Sequence, residues 1–297
     1  MTRWVLPAVL CVCNMGCLLH HTGAMKGEPV DGTFLTVEGT RVRYLDVGEG
    51  PPVVLLHGFA SSIENWTAVI PVLKQKHRVL ALDLKGFGWT DRPVGDYSPA
   101  AQAAMVRALM KERGIDKAAI VAHSWGSSVA LAFALAYPEA TERLALYDAW
   151  VYEAQLPSMF QLARAKGVGE FLFSAFYSER GEERLALGFY DPEIIPEKLV
   201  EDIERAMERP GTRAAALEAV RGMTFTGVEE TYSRIKAPTL LLWGREDVVT
   251  PLSIGERLVR QLPNARLVVY PRCGHFPMIE AVSASNRELL TFLEAAP

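Results

Sequence analysis

Cysteine is scarce in this chain. There are four in 297 residues, and Cys11, Cys13 and Cys17 crowd together near the start. Cys273 stands alone in the remainder, so no disulfide framework is expected to hold the body together. Basic residues do not dominate either: 31 Lys and Arg face 35 Asp and Glu, a net charge of −4. No basic run of the kind that grips a polyanion is present, which argues against nucleic acid as a partner. No His/Cys/Asp cluster has metal-ligand spacing, and no phosphate-cradling Gly-x-Gly-x-x-Gly follows a strand, so neither a metal nor a cofactor is expected. Internal repeats and low-complexity tracts are missing too. So is a long hydrophobic run. The longest, residues 4–19, falls short of the about 20 residues a spanning helix needs and is interrupted by Pro7, Asn14 and Gly16.

With 49% hydrophobic and 22% charged residues, the composition is that of an ordinary globular protein. At about 150 residues per domain, the length suits two domains, or one domain carrying a large insertion. The first 25 residues stand apart. Arg3 followed by the apolar stretch reads as the apolar region of a signal peptide. Three fates compete. Cleavage after Thr22-Gly23-Ala24 releases a soluble exported protein. Cys17 after Gly16 resembles a bacterial lipoprotein attachment site, although Asn14 stands where such sites usually carry Leu. Retention as an uncleaved anchor is the third. Each makes the protein an exported one, periplasmic, secreted or attached to a membrane by its N-terminal segment.

In the body, short β-branched and aliphatic runs alternate with longer helical stretches. Strands are predicted at 34–38, 41–47, 53–57, 78–83, 118–123, 143–148, 239–243 and 266–270. The first two alternate in polarity, as in an exposed antiparallel hairpin, with Gly39-Thr40 between them. The later ones are continuously apolar, as parallel strands covered on both faces should be. Helices are predicted at 99–113, with Ser98 as cap and Gly114 as stop, and at 124–136. Alternation of this kind implies βαβ units and a mostly parallel sheet. From about residue 149 to 232 strand-like runs give way to clustered aromatics and a predicted helix at 196–208. The organisation is therefore a leader (1–25), a first core part (26–148), a helical cap (149–232) and a second core part (233–297).

The motif richest in chemistry is Ala122-His123-Ser124-Trp125-Gly126, where an apolar strand runs into Ser124 and a helix follows at once. It approaches the nucleophile-elbow pattern Gly-x-Ser-x-Gly, whose small flanking residues let strand and helix come close. A serine there is held at the top of the sheet, beside a helix start that favours negative charge. Its bland alternative is a helix-capping serine. Upstream, residues 53–56 run into His57-Gly58, and the glycine lets the Phe59 amide point at the same space as the Trp125 amide. Two converging backbone donors make an oxyanion hole. His57 itself is read as scaffold. Near the C-terminus, Trp243-Gly244 leads to Asp247, and Gly274 gives His275 room to swing over the sheet edge. Ser124, Asp247, His275 have the roles of nucleophile, orienting acid and base: histidine titrates near about 6.5, and a buried carboxylate fixes its tautomer. Asp148, at the end of the sixth predicted strand, competes with Asp247 for the acid role, and Glu246 fits the spacing less well. Cys273 reads as a small loop residue.

These motifs, with Asp83-Leu-Lys-Gly-Phe-Gly-Trp-Thr-Asp91, resemble the α/β-hydrolase superfamily, in its serine-nucleophile branch with a helical lid. The resemblance spans residues 53 to 277. It implies an α/β fold with an eight-stranded, mostly parallel sheet flanked by helices, the cap inserted after strand six and the site beneath it. Residues 83–91 then shape the cleft rim. The activity implied is hydrolysis of small carboxylic esters through an acyl-enzyme. Serine rather than aspartate at the elbow argues against dehalogenases and epoxide hydrolases. The absence of His-Gly-Gly-Pro-Gly argues against proline iminopeptidases, although Ser-Trp-Gly-Ser resembles their elbow. Carbon–carbon bond hydrolases of ring-cleavage products share the triad, and a non-catalytic ligand-binding role is a further alternative. The aromatics of the cap suit an apolar substrate group, but they equally serve to pack the cap on the sheet.

Overall fold

The computed structural model describes residues 18–295 apart from Asp31 and residues 178–180. Cys11, Cys13, Cys17 and the apolar leader stretch lie outside the described residues. Eight strands form one sheet: β1 (Thr33–Val37), β2 (Thr40–Val47), β3 (Pro52–Leu56), β4 (Arg78–Leu82), β5 (Ala118–His123), β6 (Thr141–Tyr147), β7 (Thr239–Gly244) and β8 (Ala265–Tyr270). Their order is β1-β2-β4-β3-β5-β6-β7-β8. β2 pairs antiparallel with β1 and β4, and every other pairing is parallel.

Period-two alternation sends successive aliphatic side chains to opposite faces. Val54 and Leu56 of β3, Ile120 and Ala122 of β5, and Leu241 and Trp243 of β7 enter one core layer. Val53 and Leu55, Ala119 and Val121, and Leu240 and Leu242 enter the other. Burial on both faces is why these strands read as unbroken apolar runs. Helices α1 (Ile70–Leu73), α2 (Pro99–Glu112), α3 (Trp125–Ala136), α9 (Leu252–Gln261), α10 (Pro277–Glu280) and α11 (Val282–Glu294) cover the layers. Ser98 caps α2, its hydroxyl accepting from the Ala101 N–H at 3.3 Å. Between β6 and β7 the described residues form helices only: α4 (Ser158–Ala163), α5 (Val168–Phe176), α6 (Gly181–Gly188), α7 (Glu197–Glu208) and α8 (Thr212–Gly222), with short 3₁₀ turns.

Two expectations need correction. The hairpin turn is Glu38-Gly39, not Gly39-Thr40, and Thr40 already pairs with Val37 in β2. Both turn residues have positive φ (48° and 78°), as a two-residue turn must to follow the twist of its strands. Nor are residues 21–25 separate from the body. His21 and Arg92 exchange backbone hydrogen bonds at 3.0 and 2.7 Å, the Gly23 N–H donates to Asp91 at 2.8 Å, and Met25 is buried. The fold therefore includes residues that the cleavage after Ala24 removes.

Glycine brings the strand ends together at the carboxyl edge. A Cβ on Gly126 would lie 2.4 Å from the His57 carbonyl oxygen. One on Gly244 would lie 1.8 Å from the Gly274 carbonyl oxygen. Both obstacles are backbone, which cannot rotate away. Gly244→Ala is therefore expected to destabilise the protein by about 1–3 kcal/mol or more, measured by urea unfolding; an unchanged midpoint would contradict this packing.

Candidate active site

Ser124 directly follows β5 and directly precedes α3. Its φ of 51° and ψ of −125° place a non-glycine residue in a sparsely populated region, a strain of about 1–3 kcal/mol that tertiary packing must hold. The holding contacts are on its own backbone. Its N–H donates to Tyr147 at 2.9 Å, and its carbonyl accepts from Ser127 at 2.9 Å and Trp150 at 3.1 Å. The Trp125 N–H belongs to the same peptide unit as that carbonyl. Fixing one end of a planar trans unit fixes the other, and at the first helical residue no intrahelical acceptor exists for this N–H.

The Phe59 amide is fixed in the same way. It shares its peptide with the Gly58 carbonyl, which accepts from His57 Nδ1 at 2.7 Å. His57 Nε2 in turn accepts from the Leu84 N–H at 2.9 Å. The ring is thus neutral with its proton on Nδ1, and burial pushes its pKa down. His57 is a scaffold residue that aims a peptide. Asp83 is equally structural: its carboxylate accepts from the Ile63 and Trp89 amides at 2.8 and 2.7 Å and pairs with Arg43 at 3.2 Å.

Asp247 and His275 meet after β7 and β8, with Oδ2 2.8 Å from Nδ1. Oδ2 also accepts from Thr250 Oγ1 at 2.5 Å, and Oδ1 accepts from the Val249 and Thr250 amides at 2.7 and 2.9 Å. Burial works against this charge, but the imidazole and the Thr250 donors outweigh it and hold the Asp247 pKa below its ordinary value. The loop around His275 is itself clamped. Glu280 Oε1 accepts from the Gly274 and Phe276 amides at 3.0 and 3.1 Å, and its Oε2 from Tyr190 at 2.8 Å. His123 Nε2–H donates to the His275 carbonyl at 2.8 Å, while Nδ1 accepts from Asn65 at 3.2 Å. Burial, with His275 nearby, keeps the His123 ring neutral. Ser124 and His275 both line one cavity of about 250 Å³, which Phe160, Leu185, Leu199 and Met207 of the helices between β6 and β7 also line.

The competing groups sit elsewhere. Cys273 is buried, and burial with the Glu280 charge holds its proton on. Glu246 accepts from the Cys273 N–H at 3.0 Å rather than facing the imidazole. Asp148 is fully buried, accepts from the Gly244 N–H at 2.9 Å, and does not hydrogen-bond to His275.

The family model described as alpha/beta hydrolase fold matches residues 51–282. The chain belongs to the alpha/beta hydrolase family. A 2-hydroxy-6-oxononadienedioate/2-hydroxy-6-oxononatrienedioate hydrolase of Comamonas testosteroni is 33% identical over 284 residues, covering 90% of this chain and 97% of that relative. A 2-hydroxy-6-oxo-6-phenylhexa-2,4-dienoate hydrolase of Burkholderia cepacia is 32% identical, covering 90% and 97%. Among solved structures, a meta-cleavage product hydrolase from Pseudomonas fluorescens IP01 superposes with a TM-score of 0.75 at 30% identity, covering 88% of this chain and 97% of that one. Membership, with these relatives, makes the chain a hydrolase.

In this alpha/beta hydrolase the supporting residues were the ones missed from sequence. Asn65 and His123 brace the His275 carbonyl from distant parts of the chain, and Glu280 accepts from the nearby Gly274 and Phe276 amides, contacts that no motif in the sequence marks. Thr250 was accessible: Asp247-Val-Val-Thr250-Pro251 ahead of a helix is the pattern of an Asx turn. His57→Ala leaves the Leu84 N–H without a partner and the Gly58 carbonyl with only the long 3.4 Å bond from the Ser61 N–H. At about 1–3 kcal/mol for a buried orphan, a clear fall in urea midpoint is expected. Loss of turnover should accompany it even at temperatures where the variant is folded, because the Phe59 peptide is no longer aimed.

Proposed function

We propose that this hydrolase works by acyl transfer, with Ser124 as nucleophile, His275 as base and acid, Asp247 as the orienting carboxylate, and the Phe59 and Trp125 amides as the oxyanion hole. The observation that carries this reading is the 2.8 Å contact between Asp247 and His275 in the cavity that Ser124 also lines. Ser124 Oγ adds to the substrate carbonyl carbon, and its proton passes to His275 Nε2. The oxygen, now negative, is stabilised by the two amides. As the bond to the leaving group breaks, His275 returns the proton to that group. Water then repeats the sequence on the acyl-enzyme and releases the acid.

The relatives' names support a carbon–carbon bond as the one broken. In a 2-hydroxy-6-oxo dienoate the leaving carbon is vinylic, so the 2-hydroxyl proton must first move to that carbon; it then departs as a dienolate, whose C2 oxygen takes the proton from His275. A second reading, cleavage of uncharged carboxylic esters, rests on the cavity. Those named substrates carry one or two carboxylates, and a buried carboxylate needs a cation or several donors. Among the described residues lining the cavity there is no Lys or Arg; aromatic and aliphatic side chains dominate, with Asn65, two histidines and the hydroxyls of Ser61, Ser124 and Tyr177 as the polar exceptions.

Attachment or export through the N-terminal segment belongs to the same proposal. The packing of residues 21–25 on the body speaks against cleavage after Ala24 and is compatible with a mature chain beginning at Cys17. The mass of the mature N-terminus tests it.

A fluorophosphonate probe should label the wild type and not Ser124→Ala. His275→Ala and Asp247→Asn should each lower turnover strongly, with about 10⁴-fold the scale set by loss of a triad acid. Labelling of Ser124→Ala, or near-normal turnover in His275→Ala, would sink the assignment. A panel pairing a dienoate ring-cleavage product with neutral p-nitrophenyl esters of rising length decides which bond is preferred.

A further inference from the structure

Asp148 is a buried acid at the carboxyl edge, beside the Asp247–His275 pair, that the proposed chemistry does not use. It is fully buried at the end of β6, its φ is 43°, and Oδ1 is occupied by the Gly244 N–H at 2.9 Å. Its Oδ2 accepts from no protein donor, and its carboxyl is placed to hydrogen-bond the Asp247 side chain. Yet one ligand atom from each of Asp148, Asp247 and His275 lies within 4.8 Å of the other two. Two carboxyl groups therefore converge on one imidazole from adjacent strands, and only one is in contact.

We propose that Asp148 is a reserve acid for His275: a positioning residue, neutral while Asp247 is ionised, that becomes a carboxylate and takes over the Nδ1–H when the Asp247 charge is removed. The inference rests on the triad reading above. Like charges this close do not both ionise in a dry site. Burial, then the neighbouring Asp247 charge, raises the Asp148 pKa well above its ordinary value. The titratable groups facing it are Asp247 and Glu280, Tyr147 on its own strand, Tyr270 and Cys273 from β8 and its following loop, and His275. Replacing Asp247 by Asn removes the nearest negative charge and leaves burial and Glu280. Asp148 then loses its proton to solvent at a pH above the normal carboxylate range. The resulting carboxylate accepts the His275 Nδ1–H, and Nε2 is left as base for Ser124. The sign follows: the rescue is absent at low pH and grows as pH rises through the Asp148 pKa.

The test is the pH profile of kcat/KM for Asp247→Asn relative to wild type, alongside Asp148→Asn/Asp247→Asn. The ratio of Asp247→Asn to wild type should rise about tenfold or more between about pH 6 and pH 9 and level off, as titration of one group requires. In the double variant the rise should be gone. A flat ratio for Asp247→Asn, or a double variant tracing the same curve, overturns the proposal. Thermal melts by circular dichroism establish which variants are folded. If the double variant is not, the single variant decides, since a plateau marks a titrating group and a steady rise marks hydroxide acting directly. Ser124→Ala separates the two readings: if it retains turnover the triad itself is wrong, whereas an inactive Ser124→Ala with a flat Asp247→Asn ratio removes only the role of Asp148.

Discussion

The close approach of the backbone after β7 to the backbone after β8 is the constraint on which the rest depends. Gly244 lies so near the Gly274 carbonyl that no side chain fits between them. That approach is what allows the Asp247 carboxylate to reach the His275 ring at 2.8 Å. Shift either strand end by the width of a methyl group and the charge-assisted contact is lost. Its Thr250 hydrogen bonds then hold a buried charge with nothing to neutralise it.

A second principle recurs around the cavity: reactive groups are aimed through their backbones. His57 holds the Gly58 carbonyl and so sets the Phe59 amide. Ser127 and Trp150 hold the Ser124 carbonyl and so set the Trp125 amide. His123 and Glu280 hold the carbonyl of His275 and the amides on either side of it. Planar peptides transmit orientation without loss, so each of these amides and carbonyls is held in one direction.

The helices between β6 and β7 are tied to this arrangement. The His275 N–H donates to the Gly188 carbonyl at 2.6 Å, and Glu280 reaches Tyr190. Displacing that segment therefore disturbs the His275 loop as well as the cavity wall, since the two share the same few hydrogen bonds.

Strands β3 to β7 were legible because burial on both faces demands continuous aliphatic runs, and the elbow because only small residues permit the turn at Ser124. The order of serine, acid and histidine, each at the end of a predicted strand, was equally a local property. The hairpin turn was misplaced by one residue, since Glu38 betrays no preference for positive φ in its own chemistry. The packing of residues 18–25 was missed because an apolar leader pattern says nothing of what lies against it. The sequence by itself determined which residues stand at the carboxyl edge of the sheet. Only the tertiary structure decided which acid touches the imidazole, Asp247 rather than Asp148, and which amides and carbonyls brace the loop. Those choices turn on contacts between segments brought together by the sheet, such as the loops after β6, β7 and β8, and no local pattern encodes them.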